Sequence, residues 1–420
     1  MSVEPPASIS LARARVAEAA LAVGSFAIGT GEFAAMGFLP SVADGFAVTV
    51  PQAGHIISAY ALGVVVGAPI FAVLGAKFAR RNFLLLLMAI FGLGNIASGL
   101  ATSFPMLVGL RFVSGLPHGA FFGVASLVAA GMAGPGGRAK AVGRVMLGLT
   151  VATLLGTPLA TWAGQLLGWR TAFALVGAIG LLGVALSAVF VPRDEPEHGA
   201  GPLRELGALR NLQVWLTLAV GAVGFGGMFA VFTYITPTLV HVSGVPLAWV
   251  PAVLACFGAG MVLGNVVGPR FADRGLLPTI FGTIVWNAAI LALFSLAVHW
   301  AWTAVPFVLL IGTGFAAVPA LQTRLMDVGR DAQTLAAALN HSALNIANAV
   351  GAWLGGAVIS AGYGWAATGW VGALLALAGL AVFAASVALD KKQRIATAAG
   401  AARSASSPSV RPTVAALFDE

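Results

Sequence analysis

Apolar residues run in long unbroken stretches along this chain, and polar residues gather in the short gaps between them. Stretches of about 20 mainly apolar residues lie at 17–40, 52–74, 83–101, 105–131, 141–164, 171–191, 214–240, 248–269, 277–298, 301–321, 335–360 and 366–389. A helix of that length crosses the hydrocarbon core of a bilayer, about 30 Å thick. The apolar positions are continuous rather than alternating at period two, so the pattern predicts twelve transmembrane helices and no barrel strands. The expected fold class is an all-α membrane protein. The first run, from about Val16 to Pro40, is too long for the apolar core of a cleavable signal peptide, and none is expected.

Composition agrees. Hydrophobic residues make up 59% of the 420 and charged residues 9%, and the mean hydropathy is +0.95. An ordinary soluble enzyme and a disordered or disulfide-rich secreted chain are excluded. Cys256 is the single cysteine, so no internal disulfide and no cysteine metal cluster is expected.

The formal net charge of +8 changes the picture only through its placement. Arg13 and Arg15 precede the first run. Lys77, Arg80 and Arg81 follow the second; Arg138, Lys140 and Arg144 the fourth; Arg193, Arg204 and Arg210 the sixth. Arg270 and Arg274 follow the eighth, Arg324 and Arg330 the tenth, and Lys391, Lys392, Arg394, Arg403 and Arg411 the last. Twenty of the 22 basic residues thus fall on one side of the membrane. The positive-inside rule makes that side cytoplasmic, with both termini there. The expected location is the cytoplasmic (inner) membrane, multi-pass. Basic charge here orients the chain, and no nucleic-acid partner is expected. The boundaries read as a cytoplasmic segment 1–16, a six-helix half 17–191, a Pro- and Gly-rich cytoplasmic loop 192–213, a second half 214–389, and a low-complexity, disordered cytoplasmic tail 390–420.

The halves resemble each other at an offset near 195 residues. Val50–Pro51 corresponds to Val245–Pro246, Gly63 to Gly258, GAKFARR at Gly75 to GPRFADR at Gly268, and Gly156 to Gly351. Duplicated halves around a midplane site are a transporter architecture. Three further motifs carry a family likeness. They are GTGEFAAMGFLP (Gly29–Pro40), LVGLRFVSGLPHGA (Leu107–Ala120) and GLTVATLLGTPLATWAG (Gly148–Gly164). With the basic turns after spans 2 and 8, they resemble the major facilitator superfamily over residues 15–392. Within it they resemble the drug–proton antiporter branch of arabinose-efflux permeases and chloramphenicol exporters. The resemblance implies twelve helices in two pseudo-symmetric six-helix halves, alternating access, and a monomer. It also implies inner gates at Gly75, Arg80, Arg81, Asp273 and Arg274, with Gly156 and Pro158 as a moving joint in span 5. Two departures stand out. Ala79 occupies the place where the family's turn carries an Asp before Arg80, and Thr157 interrupts the Gly-Pro of span 5.

Inside the spans chemistry is sparse. Glu32 is the one acid deep in a span, and Arg111 the one base. Charge at that depth costs about 2.5–3.5 kcal/mol on insertion scales, so both residues call for a role. Glu32 lies about 12 Å and Arg111 about 9 Å from the outer ends of their helices, close enough in depth for the side chains to meet across a cavity or through a water. Burial and a neighbouring cation act on a carboxyl group in opposite senses. A conformational change that alters either one loads or releases a proton, so Glu32 and Arg111 are the proton-coupling candidates; a static pair joining two helices is the alternative. His341, Asn345 and Asn348 share one face of span 11 and either line a cavity or hold helices together. These three, with His118, Phe33, Met36, Phe121, Phe229 and Tyr234, form the candidate substrate lining. No phosphate-binding Gly loop and no catalytic cluster is present. The expectation is therefore a transporter and no enzyme, with no cofactor and a proton gradient as energy source, exporting a small drug-like or sugar-like molecule. An importer of the same fold, a non-transporting sensor and an embedded enzyme are the rivals.

Overall fold

In the computed structural model, residues 11–75, 78–133, 138–194, 210–329 and 333–406 are described. The apolar runs become twelve helices long and apolar enough to cross a membrane: α1 (Leu11–Gly37), α2 (Val50–Phe71), α3 (Arg80–Gly99), α4 (Phe104–Met132), α5 (Ala141–Leu167), α6 (Trp169–Phe190), α7 (Leu212–Thr233), α8 (Leu247–Arg274), α9 (Leu276–Ala297), α10 (Ala301–Val328), α11 (Leu339–Ser360) and α12 (Ala367–Lys392). No strand occurs among the described residues.

Several helix ends differ from the apolar runs for local reasons. Helix α1 is already formed at Leu11, the first described residue, and Glu18, buried within it, is held by Arg144 of α5 with a second contact of 2.9 Å. Helix α10 continues past the last apolar residue to Val328, and Arg324 is buried inside it rather than in a loop, paired with Asp390 of α12 at 3.0 Å. The helix of α12 runs on to Ser406, into the sequence expected to be a disordered tail. Its alanine-rich composition favours helix. The expected span 7 is broken at Tyr234 and resumes as a short helix, Ile235–His241. The remainder of the tail and most of the central loop, residues 195–209, lie outside the described residues, as do Lys77, Arg204, Arg330 and Arg411.

Helix α5 contains a π-helical turn, Ala152–Gly156, directly before Thr157–Pro158. Proline has no N–H to give the preceding turn, and single π turns recur at functional sites. The Ala79 departure is also answered. The carboxylate of Asp194, after α6, accepts the backbone N–H groups of Arg80 and Arg81 at 2.8 and 3.1 Å. It supplies the negative charge that a helix N-terminus attracts. Arg81 also donates to the carbonyl of Ala188.

Each half is built alike. Helix α1 packs on α5 and α6, and α7 packs on α11 and α12. Glycines bring backbones together at matching places. Gly63 of α2 faces the Phe112 carbonyl and Gly115 of α4, and Gly260 of α8 faces the Leu309 carbonyl and Gly312 of α10. The structural counterpart of Gly63 is therefore Gly260. Gly258 instead faces Thr153 of α5, across the boundary between the halves. Gly156 against α1 and Gly351 against α7 do correspond as the repeat implies. A side chain at Gly63 would enter the Phe112 carbonyl. Gly63→Leu is expected to lower both the yield of folded protein and its unfolding temperature, checked by size-exclusion profile and thermal melt in detergent.

The halves meet through α2 on α11 and α5 on α8. One hydrophobic cluster crosses between them at the end away from the basic loops, joining Phe33, Met36, Leu39 and Ile57 to Phe229, Phe232, Leu254 and Phe257. Toward the basic end the core divides. One cluster there belongs to the first half, with Leu21, Leu84 and Phe122, and another to the second half, with Val214, Leu218 and Leu325. The halves thus share one core at the end away from the basic loops, while toward the basic end their cores are distinct and touch through the stack of Phe122 on His341.

Candidate functional site

Four charged side chains are buried among the described residues. Glu18 and Arg324 have ion-pair partners, Arg144 and Asp390. Glu32 and Arg111 have none, although they lie at similar depth in α1 and α4. Burying a charge without a paired charge is costly, so this centre differs in kind from the other two.

Arg111 is fully buried. Its guanidinium donates to the carbonyl of Gly31 at 3.0 Å and to Oδ1 of Asn95, in α3, at 3.2 Å. It sits over the rings of Tyr60 at 4.3 Å and Phe173 at 5.1 Å from their centroids. Cation–π contacts are worth about 2 kcal/mol or more when desolvated. In this cage the arginine holds the backbone one residue before the acid, not the acid itself, so the static Glu32–Arg111 pair weighed as the alternative is not formed.

Glu32 is buried, with 7% of the residue exposed. Its hydrogen bond comes from the other half of the protein, from Nδ2 of Asn348 in α11 to Oε1 at 3.4 Å. Asn345, one turn away, donates to the His341 carbonyl of its own helix. The Oδ1 atoms of Asn345 and Asn348 and the Nε of Arg111 are buried without partners. The shared face of α11 read from the sequence is therefore turned to the boundary.

The two candidate histidines lie toward the basic end. Nδ1 of His118 is 3.0 Å from the Tyr60 hydroxyl, and the ring contacts Phe122 at 5.3 Å. Phe122 in turn stacks on His341 of the other half at 5.4 Å. A continuous run of side chains thus leads from Arg111 through Tyr60, His118 and Phe122 to His341. Phe121 packs inside the first half against Gly24.

The other aromatic candidates lie in the core that the halves share. Phe33 stacks on Phe229 at 6.4 Å and meets Phe232 edge-on at 6.0 Å, and Phe232 stacks on Phe257 at 3.8 Å. Met36 is fully buried beside them. The Tyr234 hydroxyl donates to the Ala352 carbonyl at 2.8 Å. Thr236 Oγ1 lies 3.3 and 3.0 Å from the carbonyls of Met36 and Gly37, at the end of α1. Phe33, Met36 and Phe229 are packed in one buried apolar layer across the boundary rather than around an open pocket. Thr236→Val removes the link, worth about 1 kcal/mol net. It is expected to raise the open fraction about fivefold, read as faster thiol labelling of Ala34→Cys in a Cys256→Ser background.

Of the gating candidates, Gly75 ends the helix of α2 beside the Phe83 ring, and Arg80 and Arg81 begin α3 under Asp194. Asp273 and Arg274 are exposed at the basic end of α8, and among the described residues neither bonds to the first half. Gly156 and Pro158 sit at the π turn against Thr30 and Phe26 of α1. The sequence marks Thr236-Pro237 as a bend ending span 7 but not the bond of Thr236 to α1, and it does not single out Tyr60 or Asn95. The sequence signal for Asn95 was a lone amide in an otherwise apolar span; for Tyr60 there was none.

The sequence model of the Major Facilitator Superfamily matches residues 21–333. The chain is 41% identical over 368 residues to "Inner membrane transport protein YdhP" of Escherichia coli (strain K12), covering 87% of this chain and 94% of that one. It is 33% identical over 342 residues to "Chloramphenicol resistance protein" of Streptomyces lividans, covering 79% and 86%. Among solved structures, a point mutant of the nucleoside transporter NupG superposes with a TM-score of 0.70 over 88% of this chain and 99% of that one, at 14% identity. At that identity the likeness concerns the fold alone.

Proposed function

Because the chain belongs to the Major Facilitator Superfamily, and is therefore a multi-pass membrane transporter, we propose that it exports a small drug-like or sugar-like molecule in exchange for protons. One observation carries this reading. Glu32 is a buried carboxyl group with no paired cation, placed where the two halves meet and bonded across that boundary by Asn348. A proton on or off such a group changes the energy of the boundary itself, which is the link a proton-driven alternating-access cycle needs.

The rest follows from the same premise. The basic loops face the cytoplasm, with both termini there, in the cytoplasmic (inner) membrane. The arrangement described is then closed to the outside. Arg111 keeps the α1 backbone beside Glu32 in place and sustains a positive field there. The π turn of α5 and the glycine contact of Gly258 let the halves rock. The working unit is a monomer, since each half supplies one side of the site. The relative named for chloramphenicol resistance supports export and a drug-like substrate; the sugar-like class rests on the first-span motif.

The test is accumulation in whole cells expressing the protein, with labelled phenicols and sugars as probes. Export predicts lower accumulation of at least one probe than in vector controls, with the difference removed by a protonophore. Higher accumulation that depends on the protein would reverse the direction and contradict the reading.

A further inference from the structure

The bond across the boundary has an unused half. Asn348 gives Nδ2 to Oε1 of Glu32, while its Oδ1 is buried and has no partner. An ionised carboxylate offers only acceptors, so it cannot satisfy that oxygen. A protonated carboxyl can, because its O–H donates. A carboxylic acid facing a primary amide then forms two hydrogen bonds in one ring, N–H to the carboxyl C=O and O–H to the amide oxygen.

We propose that Asn348 reads the protonation state of Glu32, and that the acid–amide pair they form holds the two halves closed at the end away from the basic loops. The inference rests on Glu32 as the coupling residue and adds its partner and the sense of the switch. A proton taken from water at that end, while it is open, forms the O–H on Glu32 and favours closure. Loss of the proton at the basic end leaves a carboxylate with one bond, an orphaned amide oxygen and no ion pair, all of which are relieved when the halves part and water enters. Closure by a proton alone is what an antiporter requires; a symporter would need substrate as well.

The groups facing Glu32 can be named element by element. Helix α4 brings Arg111, and α2 brings Tyr60, bonded in turn to His118. Helix α3 brings Asn95, which is occupied by Arg111. Helix α11 brings Asn348, with His341 two turns further toward the basic end. Helices α5 and α6 bring no charged or titratable group to this depth; the break after α7 brings Tyr234, whose hydroxyl is bonded to Ala352 one turn from Asn348, and at this depth α8 carries only Cys256. Arg111 is fixed to Gly31 and Asn95, so its field on Glu32 is constant while Asn348 is the partner that separates with the other half.

The experiment is a distance measurement between spin labels at Thr102→Cys and Ala248→Cys, both exposed and one in each half, in a Cys256→Ser background. The full chain is reconstituted without substrate and titrated with pH. The closed fraction is expected to rise as pH falls, with the closed-to-open ratio changing by at most about tenfold per pH unit, as one proton allows. Glu32→Gln, whose amide pairs with Asn348 at every pH, is expected to stay closed throughout. Asn348→Leu is expected to lose the pH response. Asn348→Ser, too short to reach both oxygens, should do the same and serves if the leucine variant does not fold. A wild-type pH profile in a folded Asn348 variant would overturn the role of Asn348 while leaving Glu32 as the coupling residue. A pH response that survives in Glu32→Gln would overturn both.

Discussion

Glu32→Gln is expected to abolish gradient-driven transport while leaving substrate exchange intact. One proton per cycle converts a gradient of two pH units into a substrate ratio of up to about 100, since each unit is worth about 1.4 kcal/mol. A glutamine keeps the size and the hydrogen bond to Asn348 but carries no exchangeable charge. Empty, the variant rests closed at the outer end, but bound substrate still opens and recloses it, so substrate exchanges for substrate with no proton to drive accumulation. In proteoliposomes with an imposed pH gradient, the accumulated ratio should fall from tens to about 1. Exchange of labelled for unlabelled substrate, at equal pH on both sides, should persist. Loss of both activities in a folded variant that no longer binds substrate would mean that Glu32 serves binding rather than coupling.

The second large effect is expected at Arg111. Its guanidinium fills a cage made from four helices, α1, α2, α3 and α6. Arg111→Ala leaves Asn95 Oδ1 buried without its donor, removes the second donor to the Gly31 carbonyl, and empties a side-chain volume. An orphaned group costs about 1–3 kcal/mol, and the cavity adds to that. A marked fall in the thermal unfolding temperature is expected. Arg111→Lys separates stability from function. An ammonium can reach one of the two oxygens but lacks the planar fork that reaches both and lies on the rings. It should recover much of the melting temperature and still transport at least about tenfold more slowly, because the α1 backbone beside Glu32 loses one anchor. Wild-type transport in the lysine variant would show that only the positive charge matters.

Most of the architecture was legible in the sequence because a bilayer permits so few solutions. Continuous apolar runs of helical length have one reading, and the chain folds accordingly. The ends were less legible where polar residues are paired inside helices. Arg324 reads as a loop residue until Asp390 is seen beside it, and Glu18 as an edge residue until Arg144 is. Those pairings join residues 66 and 126 positions apart, and no local pattern announces them.

At the site, the sequence could pick out Glu32 and Arg111, since isolated charge in an apolar span stands out. It could not tell their partners. Two opposite charges at one depth imply a pair, yet Arg111 is satisfied by a carbonyl, an amide and two rings, leaving Glu32 to the other half. Asn348 was visible as one of three polar residues on a face, but its contact with Glu32 spans 316 positions. The aromatic candidates were legible as a group. Whether such rings line a pocket or close a gate depends on which state the halves adopt, and composition does not encode that.

The most direct test of proton-coupled export uses inside-out vesicles with an acidic lumen, carrying wild type or Glu32→Gln. Phenicols and sugars are added one at a time while lumenal pH is followed. At least one compound is expected to cause lumenal pH to rise with wild type, as protons leave in exchange for substrate, and the same compound to cause no change with Glu32→Gln. An equal rise with both proteins, or a substrate that enters the vesicles with no proton leaving, would contradict coupling through Glu32.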